Sequence, residues 1–175
     1  TGIAERNMGT FNSIDQIAET QMEIADCLRT SDGLLVLNYE DVILRKQKAD
    51  SLPLLRYGIY QGGGTPSHLD IWASDIKYRL GGSEFILHDK AQLSCACSIP
   101  LTGAFNLLHC IGAIGLALHS GMTLNGILSA LPAIKPRKGY LRVLHEGEWL
   151  SFISEKAALS RRGHSFETSW PASIT

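Results

Sequence analysis

Residues 33–41 read GLLVLNYED, and this stretch decides the fold class. Four consecutive apolar residues, Leu34 to Leu37, lie between turn-forming residues and Asn38. A short continuous apolar run is typical of a strand buried on both faces, as strands of parallel sheets are. We therefore expect an α/β fold with a mainly parallel sheet flanked by helices.

Helical patterns lie on both sides of this strand. Before it, apolar residues recur at helical spacing and Ser13 with Gln16 forms a capping box, so we predict a helix over residues 14–29. After it, residues 40–51 have helix-tolerant residues, and residues 54–60 form a second short apolar run. The order strand, helix, strand suits parallel pairing.

A change of periodicity marks the next segment. After a glycine-rich connection, apolar and polar residues alternate through three stretches, the first two joined at a Gly81-Gly82 turn. Alternation with a period of two predicts antiparallel strands. We expect a small antiparallel three-strand flap over about residues 69–100, with Cys95 and Cys97 on its inward face.

Two further helices are predicted after the flap. Residues 104–119 are mainly apolar and end at Ser120-Gly121, which suits a helix C-terminus. Thr123 is placed to cap a shorter helix that Pro132 stops. Both helices are expected to pack on the sheet.

The end of the chain has a different character. Residues 140–144 and 149–153 are predicted to form two strands, and the residues after them have no clear period. We assign residues 1–144 to one domain and residues 145–175 to the start of a following segment or a low-order tail.

Composition and charge narrow the class of protein. A hydrophobic content of 45%, a charged content of 19% and a formal net charge of -1 are ordinary for a globular domain. The basic residues form no long run, so we expect no nucleic-acid partner. The longest apolar stretch, residues 104–122, is interrupted by polar groups, which favours a buried helix over a membrane span.

The four cysteines indicate a compartment and a role. They are irregularly spaced and no secretory leader precedes them, so we expect reduced thiols in the cytoplasm. Cys95 and Cys97, even with His88 and Cys110 nearby, lack the second ligand pair of a structural zinc site. Buried apolar thiols are the favoured interpretation.

Four stretches carry a family resemblance. Residues 1–15 are similar to T-N-I-G-x-x-H-L-E-x-F-G-S-x-E, and residues 33–41 to G-x-x-V-L-N-x-D-D. Residues 101–113 are similar to L-P-G-x-H-N-x-x-N-A-x-A-A, and residues 135–141 to K-P-x-x-G-R-L. In this order and with fitting loop lengths, they resemble the second half of the ATP-binding central domain of a Mur ligase, nearest to the D-alanyl-D-alanine-adding ligase and its relatives.

The resemblance implies a chemistry and a set of binding residues. Mur ligases use ATP and Mg²⁺ to phosphorylate a carboxylate, which an amine then attacks to form the amide bonds of cell-wall precursors. The positions that match the family's nucleotide side are Asn38, Phe105, Asn106 and His109. Phe105 stands where the family has a histidine and is able to stack on a base, whereas Asn106 is retained.

The catalytic positions of the family are replaced. Asn7 stands where the family has a metal-binding histidine, and Gln21 stands where it has a lysine that becomes carbamylated to hold a second magnesium. Neither amide brings a negative charge to Mg²⁺. No stretch matches the P-loop pattern Gly-x4-Gly-Lys-Ser/Thr. We therefore assign no catalytic or metal-binding residue and expect this chain to be inactive by itself.

Two functional interpretations remain open. In the first, the chain is the adenine-side part of a divergent Mur-ligase-like, ATP-dependent amide ligase whose P-loop lies upstream. In the second, it is a non-catalytic pseudoenzyme or interaction module that keeps the scaffold and binds a protein partner, or a second copy, at an open sheet edge.

Overall fold

The structure, a computed structural model, describes residues 11–29, 33–46, 52–79 and 81–136, and the backbone of two later strands. The helices are α1 (Ile14–Arg29), α2 (Val42–Arg45), α3 (Ala104–His119) and α4 (Leu124–Ala130). The strands are β1 (Leu35–Asn38), β2 (Leu54–Ile59), β3 (Ile71–Arg79), β4 (Gly82–Asp89), β5 (Ser94–Ile99), β6 (Arg142–His145) and β7 (Ser151–Ile153).

Strands β1 to β5 form one sheet in sequence order. β1, β2 and β3 pair in parallel, whereas β3, β4 and β5 pair antiparallel. The mixed sheet confirms the α/β class and the three antiparallel strands. These strands share β3 with the parallel part, so the flap continues the same sheet.

The chain divides into two units, Thr1–Lys135 and Pro136–Thr175. The sheet and the four helices belong to the first unit. In the second, β6 and β7 form an antiparallel hairpin, as the sequence predicted for this region. The domain boundary predicted after residue 144 stays a prediction, and the predicted tail lies outside the described residues.

Helix α1 begins where the capping residues predict. The Gln16 amide donates to Ser13 Oγ at 3.1 Å, and Gln16 Oε1 accepts from the Asn12 amide at 2.9 Å. Helix α2 begins two residues later than predicted, because the Asp41 carboxylate caps it by accepting from the amides of Ile43 and Leu44. Residues 47–51 of that predicted helix lie outside the described residues.

The sheet is covered on both faces at β1 and β2. Leu35 on β1 packs with Ala25 of α1, whereas Val36, which points the other way, packs against the core beneath α3. That core includes the fully buried side chains of Leu107 and Ile111. Burial on both faces is what the continuous apolar run of this strand predicts.

Two glycines let α3 approach β2 closely. A Cβ on Gly112 would lie 2.9 Å from Cζ of Tyr57, and a Cβ on Gly115 would lie 2.9 Å from Cδ2 of Leu55. The helix therefore runs in the direction opposite to β2. Its N-terminus lies at the carboxyl ends of the parallel strands.

The bounds of α3 are those predicted. The backbone turns at Gly121, whose φ is 87°, and the amides of Ser120 and Gly121 donate to carbonyls of the last helical turn. Thr123 Oγ1 then caps α4 by accepting from the Gly126 amide at 3.2 Å. None of the helices in the described part of the chain is long and apolar enough to cross a membrane.

Asp70 ties the start of β3 to its neighbours, and replacing it with alanine is expected to destabilise the fold. Its half-buried carboxylate accepts from the Arg56 amide at 2.7 Å and from Lys90 Nζ at 2.6 Å. Hydrogen bonds to a charged group contribute about 1.5–3 kcal/mol, so Asp70→Ala should lower the free energy of unfolding by about that amount. Urea unfolding followed by circular dichroism measures the change.

The matched control is Asp26→Ala. Asp26 forms an ion pair with Arg29, but its side chain is 77% exposed. Exposed pairs contribute little, so the control should change the free energy by less than about 0.5 kcal/mol. Equal effects of the two replacements would contradict the assigned role of Asp70.

Candidate functional site

Asn38 ends β1 on the side of the sheet that faces α3. Val36 packs against the α3 core, and side chains two residues apart on a strand point to the same face. Asn38 is paired with Tyr57, which lies under Gly112 of α3. Ligands of α/β proteins bind at this carboxyl edge of the sheet, so Asn38 has the position expected for a binding residue.

The first two turns of α3 hold the other three predicted residues. Gly103 enters the helix with a φ of 97° and has no side chain to cap it. The rings of Phe105 and His109 lie 4.2 Å apart between centroids, and Asn106 Nδ2 donates to Thr102 O at 2.8 Å. Phe105 is 43% exposed, so one aromatic ring at this edge is open to a ligand.

The structure therefore brings the predicted residues to one edge and one face, but in two groups. Phe105, Asn106 and His109 lie in the first two turns of α3. Asn38 lies at the end of the neighbouring strand, where its Oδ1 accepts from the Glu40 amide at 3.1 Å. Hydrogen bonds to the carbonyls of Phe105 and Thr102 hold the polar side chains of the first group. The bond from the Glu40 amide holds the side chain of Asn38.

A groove of about 330 Å³ opens between α3 and α4, next to these turns. Asn106 and His109 line it at the N-terminal end of α3. Its remaining wall is mostly apolar and includes Cys110, Met122, Ile127 and Leu131. An apolar groove with a few polar groups at one end is a common form of small-molecule site.

The position that resembles the carbamylated lysine lies on the inward side of α1. Gln21 is half-buried in the helical stripe that also carries the buried residues Ile17 and Ala25. Its amide is uncharged, and Asn7 lies outside the described residues. Within the described segments, no three His, Cys, Asp or Glu side chains are grouped to hold a metal ion. These residues do not fit the Mg²⁺ that the resemblance implies.

Sequence patterns gave no sign of an aromatic cluster at the same edge, near α2. Tyr39 stacks on His68 with ring centroids 5.8 Å apart, and Tyr60 meets His68 edge-on at 6.2 Å. The Arg45 guanidinium lies 5.8 Å from the Tyr39 ring centroid. These residues come from separate segments of the chain, so only the folded strands reveal their proximity.

Cys95 and Cys97 lie on the inner face of the sheet, as predicted. Cys95 and Cys97 Sγ are 3.8 Å apart, and Cys110 faces them from α3. Burial, with the neighbouring Cys95, raises the pKa of Cys97 to about 12, and burial raises the pKa of Cys110 to about 11. Cys97 and Cys110 are therefore protonated at neutral pH and behave as core residues.

Stability is expected to fall as the pH rises above about 8.5, the ordinary pKa of a thiol. A folded pKa above the unfolded value means that the stabilisation is complete below the unfolded pKa and is lost as pH rises towards the folded pKa. Between about pH 8.5 and pH 10, the raised pKa of Cys97 and that of Cys110 should each lower the free energy of unfolding by about 1–2 kcal/mol. Urea unfolding at these pH values measures the slope.

Two variants identify the source of this slope. Cys110→Ala should reduce it, whereas Cys27→Ala should leave it unchanged because Cys27 is exposed. A wild-type free energy of unfolding that stays constant up to about pH 10 would rule out the assigned thiol burial.

A mixed sheet whose parallel strands have a polar side chain at their carboxyl edge, beside a helix N-terminus, defines an α/β domain of the class whose ligands bind at that edge. Residues 1–117 match the family model of the Mur ligase middle domain. The chain belongs to the Mur ligase family, as the resemblance in its sequence indicated.

Curated relatives support the same family. The chain is 28% identical over 123 residues to UDP-N-acetylmuramoyl-L-alanyl-D-glutamate–2,6-diaminopimelate ligase of Geobacillus kaustophilus (strain HTA426), which covers 70% of this chain and 24% of that protein. It is 25% identical over 155 residues to UDP-N-acetylmuramoyl-tripeptide–D-alanyl-D-alanine ligase of Bacillus subtilis (strain 168), covering 89% and 31%. The chain thus spans about a quarter to a third of these relatives.

Solved structures share the fold. MurF from Acinetobacter baumannii superposes with a TM-score of 0.71 at 23% identity, over 87% of this chain and 33% of that one. MurF from Thermotoga maritima, solved in complex with ADP, superposes with a TM-score of 0.64 at 20% identity, over 87% and 33%. At these identities the likeness concerns the fold alone.

Proposed function

We propose that this chain is the adenine-side part of a Mur-ligase-like, ATP-dependent amide ligase of cell-wall or related biosynthesis. The observation that carries the proposal is that Asn38 and the N-terminal end of α3 lie at the same edge and on the same face of the sheet. These are the positions at which the sequence resembles the nucleotide side of the family. A cytoplasmic location is part of the proposal, since ATP and reduced thiols occur there.

The residues of this edge have separate roles in binding. The exposed Phe105 ring offers a flat apolar surface for the base, and its contact with His109 fixes its orientation. Asn106 and His109 add polar groups at the mouth of the groove. When bound, ATP supplies the phosphoryl group that activates a carboxylate, and the side chains described here orient its base.

Turnover requires more than this chain contains. A P-loop cradles the phosphates with backbone amides and a lysine, and none of the 175 residues forms that pattern. Gln21 cannot form a carbamate. We therefore expect the chain to bind nucleotide without hydrolysing it, and the ligase activity to belong to a longer protein.

Isothermal titration with ATP and Mg²⁺, and separately with ADP, tests the proposal. Binding with a stoichiometry near one is expected. Phe105→Ala should weaken it by about tenfold, because stacking of a base on an aromatic side chain contributes about 1–3 kcal/mol. Leu116→Ala is the matched control, since Leu116 is a similarly exposed apolar residue at the other end of α3 and should not change the affinity. If neither ATP nor ADP bound, the proposal would be rejected.

The alternative is a non-catalytic pseudoenzyme or interaction module, and the open edge of β1 favours it. Among the strands that the structure describes, only β2 pairs with β1. The other side of β1 thus has backbone groups that a strand from a partner or a second copy is able to pair with. Concentration-dependent association in sedimentation equilibrium, together with no nucleotide binding, would support this alternative.

A further inference from the structure

Cys95 and Cys97 form a pair of thiols on one face of β5. They alternate with the exposed Ala96, so both side chains point to the core side of the sheet. Their Sγ atoms lie 3.8 Å apart. Cys97 is 6% exposed, whereas Cys95 is half-buried, so a reagent from solvent reaches the pair through Cys95.

The spacing of the pair favours a bridging atom over a disulfide. Residues two apart on a strand have Cα atoms about 6.8 Å apart, at the upper limit of the range that disulfides span. By contrast, two sulfurs bonded at about 2.3 Å to a shared centre with an open angle lie about 3.5–3.8 Å apart. The observed separation of the two Sγ atoms is therefore close to that of two thiolates bound to one soft atom.

The place of β5 in the sheet allows such an atom to enter. Among the described strands, only β4 pairs with β5, so β5 is an edge strand. In this pair Cys95 lies opposite Leu87, and Cys97 lies opposite Phe85. A small shift of an edge strand disturbs one neighbour instead of two, so the half-buried Cys95 is able to move outwards at low cost.

The surroundings of the pair favour a complex without net charge. Residues 91–134 contain no Asp, Glu, Lys or Arg, and the core against which both thiols pack is apolar. A metal cation would have to displace the thiol protons, which the raised pKa of Cys97, about 12, opposes at neutral pH. Within the described segments, no group of three His, Cys, Asp or Glu side chains offers a cation further ligands. A centre that binds two thiols and stays neutral avoids the cost of a buried charge.

We propose that Cys95 and Cys97 form a binding site for a trivalent organic arsenical. Both S–H bonds and the arsenic–oxygen bond of an arsine oxide break, two arsenic–sulfur bonds form, and the oxygen leaves as water with the two thiol protons. Arsenic keeps its oxidation state, so no oxidant or reductant takes part. The product is neutral, and its organic group has apolar surface beside it at the half-buried Leu93. The site is independent of the proposed nucleotide binding.

Titration of the purified chain with phenylarsine oxide tests the proposal. Intact mass spectrometry should show one adduct per chain, which excess mercaptoethanol does not remove but dimercaptopropanol does, because only a second dithiol matches two sulfurs on one centre. In urea, which exposes all four cysteines, the adduct should protect Cys95 and Cys97 from alkylation by iodoacetamide. Peptide mapping locates the protected residues, and circular dichroism before the titration verifies that the chain is folded.

Single replacements identify the two sulfurs. Cys95→Ala and Cys97→Ala should each weaken binding by about a hundredfold or more, because one thiol alone loses the high effective concentration of the second. Cys27→Ala is the matched control at an exposed position of α1 and should bind as the wild type. Cys110→Ala should also keep the adduct, since the pair supplies both sulfurs. Unchanged binding by Cys95→Ala, loss of binding by Cys110→Ala, or a wild-type adduct that mercaptoethanol removes would each overturn the proposal.

Discussion

Phe85→Ala is expected to lower the free energy of unfolding by about 3–5 kcal/mol. Phe85 is 2% exposed and lies on β4, where it packs in the core between the sheet and α3. Removing the ring loses the free energy gained by burying it. It also leaves a cavity, which the surrounding side chains cannot fill because β4 lies between two other strands. Urea unfolding followed by far-UV circular dichroism gives the change.

Ile86→Ala is the matched control for this prediction. Ile86 is the next residue on the same strand, points to the opposite face and is half-buried. Its truncation should cost less than about 2 kcal/mol, because part of the side chain already contacts water. If Ile86→Ala destabilised the protein more than Phe85→Ala, the assignment of strand faces would be wrong.

Gly82→Ala is expected to lower the free energy of unfolding by about 1–3 kcal/mol or more. A Cβ at this position would collide with the carbonyl oxygen of Ile99. Since the obstacle is the backbone of the adjacent strand, relief requires β4 and β5 to separate. Thr102 Oγ1, which donates to the Arg79 carbonyl at 2.7 Å, holds this end of the hairpin in place.

Gly81→Ala provides the comparison. A Cβ at Gly81 would meet no atom within 4 Å, so this neighbouring replacement should be tolerated. Thermal unfolding of the two variants in parallel shows whether the destabilisation comes from the steric collision at Gly82 or from replacing any glycine of this turn. A Gly82→Ala protein as stable as the wild type would disprove the close approach of the two strands.

Local patterns in the sequence predicted most of the elements because their causes are local. The bounds of α3 depend on Gly103 before it and Gly121 after it, and the start of α1 depends on Ser13. By contrast, the start of α2 is predicted correctly only if Asp41 is identified as its capping residue. That β3 joins the antiparallel strands to the parallel ones depends on pairing between distant residues, which no local pattern contains.

The candidate site was predictable only in part. Resemblance to the family pattern identified Asn38, Phe105, Asn106 and His109, and the fold brings them to one edge. The groove beside them is formed where α3 packs against α4, so neither helix indicates it alone. The bond from His109 to the Phe105 carbonyl likewise depends on a side-chain conformation that spacing does not determine.

The sheet topology has a consequence for the order of folding. Strands β3, β4 and β5 follow one another through short connections and pair antiparallel, so their contacts have low contact order. Parallel pairing of β1 with β2 requires closure of a longer connection, which costs more entropy before any contact forms. The antiparallel meander is therefore expected to nucleate folding. The parallel pair of β1 and β2, which ends at Asn38, then forms late. A ligand bound beside Asn38 would therefore stabilise the last part of the domain to form.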